Sequence, residues 1–514
     1  MGIEIRLALD AERIDEQEWK NTYLKTLELI DNYPVMRLQS EYHRGQKRLV
    51  FTRQVEMNSE NKGKRFWEIC GNYETRSRGD SFKLYYDLNH YKKDKRKKVK
   101  PEKDEDILFA YTEKDRYPRY IFNSKTQGKD YQKLIIAVAS LIEKEFPKAA
   151  LMAGNIDQKE IKKAVKWAKQ ILNEDIKLPV LYDKNRLIDK LFKKYDTPDT
   201  IKMAYFNYLG GCDEIFAAIF DKFNEEEIKR WFKNYIDERF DKAGNPHAIR
   251  LYIVWLNITE DANTLLRMMC VEEGGPKFEP ETFLKALAST WAFVPEKYFN
   301  SILKMSEVEA ELKDSVHKQF YSFFWDAMMM GRKIKVSLDK STVLQSIENL
   351  FPENKRKLKD IFKNKLSEII DEFESENLTQ MVKMLEKDED VQKEDFDFNR
   401  FFQEEDLDWD QIQGEKYQKI INDIRAQIGK MREVLEEKNH KTLKEKYEML
   451  IKLIYKRKNA LREEAWQRLD NCYHEDVIVF LISIYTVKDG PKKFEVLRRF
   501  LAENIELLEK ELSV

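Results

Sequence analysis

The hydrophobic patterning of this chain changes character near residue 184, and that change limits what it can fold into. Before it, apolar residues recur every second position in short runs. Ile3, Ile5, Leu7 and Leu9 alternate in IEIRLAL, Leu49, Phe51, Val55 and Met57 in RLVFTRQVEM, and Phe82, Leu84, Tyr86 and Leu88 in SFKLYYDL. A period of two lays one apolar face along a strand. After residue 184 the alternation stops and apolar residues follow helical spacing, as in NRLIDKLFKKY, CDEIFAAIFDKF and HAIRLYIVWLNIT. The fold class expected is therefore α+β: a mixed N-terminal domain with a largely antiparallel sheet, then a large all-α helical stack, then a C-terminal helical hairpin.

The first region also contains helix signals. Asp15, with Glu18 three residues on, marks a helix start, Trp19, Tyr23, Leu27 and Ile30 follow as its stripe, and Pro34 stops it. Asp157 opens a second helix with the stripe Ile161, Ala164, Val165, Ala168 and Leu172. RFWEICGNYE, DILFAYTE, RYIF and AALMAGN read as further short strands, and TRSRGD as a turn. The helical segments beyond 184 are joined by short links carrying Asp, Asn, Pro or Gly, without a fixed period, so an irregular stack is expected rather than a named repeat.

The tail has the sharpest periodicity. Tyr417, Ile421, Ile424, Ile428, Met431 and Leu435 alternate four and three apart, and Leu443, Tyr447, Leu450 and Ile454 resume the spacing after a polar break. Two seams with a break between them predict an antiparallel hairpin, with an intermolecular coiled coil as the competing arrangement. The resulting organisation is 1–182 α+β domain, 183–385 helical stack, 386–410 acidic linker, and 411–514 hairpin and final helices.

Composition agrees with a folded, helix-rich chain. Of 514 residues 42% are hydrophobic and 36% charged, with 16 Gly and 12 Pro. Net charge is −1, so there is no overall basic excess of the kind nucleic-acid binders show. Charge is instead local. Residues 91–100 (YKKDKRKKVK) hold seven Lys or Arg and one Asp, whereas 386–410 hold twelve acidic and three basic residues. Both read as solvated segments, with docking as the alternative. Tyr85, Tyr86 and Tyr91 stand at the entrance of the basic loop, and that pairing of basic and aromatic residues offers a nucleic-acid contact.

Several chemistries lack their motifs. Cys70, Cys212, Cys270 and Cys472 form no CxxC, and the six histidines (His43, His90, His247, His317, His440, His474) form no metal spacing. HExxH, GxSxG and GxGxxG are absent, so no metal and no cofactor is expected. The start of the chain lacks a basic n-region and apolar core, and no run approaches a membrane span, so a cytoplasmic protein without a membrane partner is expected.

Two places come nearer to chemistry. Strand, Gly/Lys loop and helix follow one another in IFNSKTQGKDYQKLIIAVASL, the order of a phosphate loop. The Walker pattern fails, because Asn123 stands for the first Gly and Asp130 for the Ser or Thr. Lys125, Gln127 and Lys129 remain as anion-binding candidates before a helix N-terminus, beside the plainer reading of Asp130 as an N-cap. In QRLDNCYHEDV, Arg468 and His474 stand six apart. This resembles the R-x(4–6)-H spacing of the HEPN ribonuclease family, whose Arg and His act on a phosphodiester. In that family the residue after Arg is typically polar, and here it is Leu469. The match covers seven residues and does not assign the family.

The leading expectation is a non-catalytic protein-interaction or scaffold protein with another protein as partner, in a setting such as a defence or toxin-neutralising complex. The alternative is a nucleic-acid-binding or ribonuclease-like protein using the basic loops and Arg468 with His474.

Overall fold

Strand β1 (Glu4–Leu9) is central in a three-stranded sheet, between β7 (Arg119–Lys125) and β8 (Ala150–Gly154), both antiparallel to it. Its alternating Ile5, Leu7 and Leu9 are buried, and so is Ala8 on the other face. The computed structural model describes residues 3–57, 65–75, 77–92, 118–295, 334–374, 415–438, 440–486 and 492–512. These fall into two compact units, Met1–Pro179 with Arg400–Val514, and Val180–Asn399.

In the first unit, helix α1 (Glu16–Asp31) starts where Asp15 accepts hydrogen bonds from the Gln17 and Glu18 amides. Helix α2 (Gln132–Glu145) is buried on every side from Leu134 to Glu143 and packs against α1, β8 and α3 (Gln158–Leu172). Asp157 caps α3, as its sequence predicts. A second sheet contains β2 (Val35–His43), β3 (Gln46–Thr52), β4 (Glu56–Met57), β5 (Phe66–Asn72) and β6 (Arg78–Tyr85). Arg44 and Gly45 join β2 to β3 with φ of 49° and 76°, the left-handed pair that a two-residue hairpin requires.

Strand β6 begins at Arg78, so the last three residues of TRSRGD are strand rather than turn. Gly79 explains the difference: a Cβ there would collide with the Tyr131 hydroxyl and lie 2.9 Å from the Thr126 carbonyl oxygen. Glycine lets the strand pass close beneath that corner.

The tail completes this unit. Helices α13 (Glu415–Arg425), α14 (Ile428–Glu437) and α15 (Leu443–Lys456) all pack on α17 (Glu475–Thr486), which is apolar and buried from Val477 to Tyr485. The seam residues Ile421, Leu435, Tyr447, Leu450 and Ile454 therefore meet around α17. Strand β9 (Ala460–Arg462) pairs parallel with β3, α16 (Glu463–Asp470) follows it at once, and α18 (Lys492–Glu503) and α19 (Ile505–Leu512) close the core.

The second unit is a stack of helices: α4 (Lys184–Phe192), α5 (Thr197–Asn207), α6 (Cys212–Lys222), α7 (Glu225–Arg239), α8 (Pro246–Thr259), α9 (Ala262–Cys270), α10 (Pro280–Ala288), α11 (Lys340–Leu350) and α12 (Lys355–Glu374). Asp183, Asp196, Asn224, Asn245, Asp261 and Asp339 cap six of them through their side chains. These are the Asp and Asn residues of the short links read from the sequence. Residues 334–339 run extended, with the Leu338 amide donating to the Ala292 carbonyl. The acidic stretch 386–410 and residues 93–100 of the basic loop lie outside the described residues.

Candidate binding surface

The Gly/Lys corner is closed by its own bonds. Gln127 (φ 57°) and Gly128 (φ 74°) make a tight turn in which the Lys129 amide donates to the Thr126 carbonyl, 3.1 Å away. Asp80 accepts from the Lys125 amide at 2.9 Å, so a carboxylate already occupies part of the corner. The Thr126 hydroxyl donates to Gln132 Oε1 at 2.6 Å. Helix α2 begins one residue later than expected. Tyr131 holds the N-cap position, and Asp130 makes no cap bond. The Gln132 and Lys133 amides instead donate to the Lys129 and Asp130 carbonyls, so the backbone itself closes this first turn. Lys125 and Gln127 are exposed, and Lys129 is half-buried.

At the entrance of the basic loop the tyrosines are engaged inward. The Tyr91 hydroxyl accepts from the Tyr85 amide at 2.8 Å, Tyr85 stacks on His90 at 4.0 Å, and Arg65 lies 4.9 Å over the Tyr86 ring. Burial pushes the Tyr91 phenol well above its ordinary range. None of the three rings is set out as an open stacking platform.

Arg468 and His474 occupy different surroundings. Arg468, in the last turn of α16, is 3.4 Å from Glu506 and lines a cavity of about 520 Å³ with Glu464, Gln467, Cys472, Glu506 and Glu509. His474 is exposed before α17 and does not line that cavity. Burial, with Glu509 nearby, pushes the Cys472 thiol up, away from the reactive thiolate.

The polar centre near α16 is Asp470 instead. Its two oxygens accept from Arg48 Nη1 at 3.1 and 3.0 Å, and the Tyr447 hydroxyl donates to Oδ1. His43 Nε2 lies 3.1 Å from the same oxygen, close enough for an ion pair but off the axis of a hydrogen bond. Arg48 also donates to Glu41 at 2.6 Å and lies 5.0 Å over the Trp466 ring, whose indole N–H donates to the Leu49 carbonyl. Burial first, then Asp470, raises the Tyr447 phenol well beyond its usual value. This network ties the β2–β3 hairpin to α15 and α16 through the Asp470 carboxylate.

The second unit carries an aromatic array with members that face solvent. Tyr205 and Phe206 on α5 meet Phe216 on α6 and Trp231 and Tyr235 on α7, with centroid separations of 5.5 to 6.4 Å. Most of this array is core, and Phe216 and Phe232 are fully buried. Phe206 is nevertheless 47% exposed, and Leu209, three residues on, is 39% exposed. Burial raises the Tyr235 phenol while Arg239 beside it pulls it back. Trp231 is 6% exposed, and its Nε1 has no acceptor among the described residues. The sequence marked α5 and α7 as helices but did not single out these rings. A signal was present in the density of Phe, Tyr and Trp from 205 to 240, although that density reads first as core.

Compared with protein-family models, curated proteins and solved structures, the chain matches none. Among the described residues no helix is long and apolar enough to cross a membrane, and no group of three or more His, Cys, Asp or Glu is placed to hold a metal ion.

Proposed function

We propose that this chain is a protein-interaction protein that binds a partner protein through the aromatic face of its helical unit. The observation that carries the reading is the exposure of Phe206, which packs edge-on against Tyr235 of the aromatic array, and of Leu209 three residues on. Grouped large apolar side chains that stay in water are the usual mark of an interface, and anchors already fixed by packing lose little entropy on binding. Helices stacked as α4 to α10 give such a face a firm support.

The alternative of a ribonuclease-like or nucleic-acid-binding protein draws less support. Arg468 is paired with Glu506, and His474 stands apart from the cavity that Arg468 lines. The test is capture with the full chain from native lysate, read by mass spectrometry, followed by capture with a Phe206→Ser, Leu209→Ser double variant. The reading expects one reproducible partner, lost with the variant, while the melting temperature changes little. A partner retained at full yield by the variant contradicts it.

A further inference from the structure

The charges around the aromatic face narrow the chemistry of its partner. Arg239, in the last turn of α7, lies 5.7 Å over the Tyr235 ring. Lys202 precedes Phe206 by one turn of α5 and so shares its face. Neither cation is paired with a carboxylate among the described residues. Neighbouring lysines are paired: Lys229 with Glu225 at 2.8 Å and Glu226 at 3.1 Å, and Lys233 with Glu272 at 2.9 Å. Two cations without carboxylate partners therefore stand beside the exposed Phe206 ring.

We propose that this face docks an acidic segment of a partner protein, one that brings carboxylates to Arg239 and Lys202 and an aromatic or aliphatic side chain to Phe206 and Leu209. The inference rests on the protein-binding reading above and adds the partner's chemistry. A single-stranded nucleic acid would also bring negative charge, but it needs open ring faces for its bases. Trp231 stacks on Tyr235 at 5.5 Å with 12° between the planes, and Arg239 lies 5.7 Å over the same ring, so Tyr235 already has stacking partners of its own. Phe206 meets Tyr235 in an edge contact at 5.6 Å and stays 47% exposed, an apolar edge better suited to a side chain.

The probe is a short fluorescein-labelled peptide alternating Asp and Phe, titrated against the full chain by anisotropy. Its twin with Lys for Asp and an oligothymidylate of similar length serve as comparisons. The acidic peptide binds, the Lys twin does not, added salt weakens binding, and Arg239→Glu lowers affinity about tenfold. Arg239 is exposed, so this variant keeps its fold, which a melting curve verifies. Phe206→Ser weakens the same binding. Equal binding of the Lys twin, no effect of Arg239→Glu, or tighter binding of the oligothymidylate overturns the proposal. If the acidic peptide fails to bind while a captured partner still depends on Phe206, the assignment of an acidic partner falls and the protein-binding reading stands.

Discussion

At the scale of single residues, Asp470 holds together segments of the first unit that lie far apart in sequence. It joins Arg48, Tyr447 and His43, and the Arg48 side chain is nearly buried. Asp470→Ala leaves a buried guanidinium with Glu41 alone and a phenol without its acceptor. Loss of one partner from such a pair costs on the order of 3 kcal/mol, to be read from denaturant unfolding. The sequence drew attention instead to Arg468 and His474, two residues before and four after it. No spacing rule reaches Asp470, because Arg48 stands 422 positions away and only the fold brings the two together. A second residue-scale test concerns Lys25, which is 3.0 Å from Glu145 and 2.7 Å from Glu174, both also held by Lys144. Burial disfavours the charged Lys25, yet hydrogen bonds to Glu174 and Glu145 raise it overall. Glu174 is lowered by Lys144 and then Lys25, and Glu145 is lowered by the same lysines against the opposing effect of burial. The carboxylates' contribution is complete above their ordinary value of 4.5 and is lost as pH falls through the depressed folded values. The lysines' contribution is complete below 10.5 and is lost as pH rises through the raised values. Lys25→Met therefore lowers stability by about 1 kcal/mol at neutral pH, and the deficit shrinks toward pH 3 in thermal melts.

At the scale of elements, the ones the sequence made visible are those whose patterns are local. Strand β1 shows its alternation, α1 its Asp15 cap, and α3 its Asp157 cap and stripe. Strand β9 was not legible: three residues are too few for a period, and its partner β3 lies some four hundred positions earlier. The start of β6 was misread as turn for a related reason. Arg78-Gly79-Asp80 has turn composition, but Gly79 is required by the close approach of Tyr131 and Thr126 rather than by chain reversal. Gly79→Ala should therefore lower stability by about 1–3 kcal/mol, because the Tyr131 hydroxyl and its bond to the Asp80 carbonyl must shift to admit a methyl group. Chemical denaturation measures this, and an unchanged midpoint would remove the close approach as the reason for glycine there.

At the scale of the whole molecule, the two units differ in how their polar and apolar side chains are engaged. Within the first, Arg468 pairs with Glu506, Arg48 and Tyr447 bind Asp470, and the Lys125 backbone amide donates to Asp80 while the Lys125 side chain stays exposed. Within the second, the helical stack presents Phe206 and Leu209 to solvent beside Lys202 and Arg239. The α+β class was legible because periodicity reports it directly. The aromatic face was not, since the spacing that exposes Phe206 is the same spacing that buries Phe216 and Phe232. The most direct test of the account is hydrogen–deuterium exchange of the full chain with and without its captured partner. Protection is expected in the segments 202–209 and 231–240. Protection confined to other segments, such as the Arg468 cavity at 464–472, with none at α5 and α7, would contradict it.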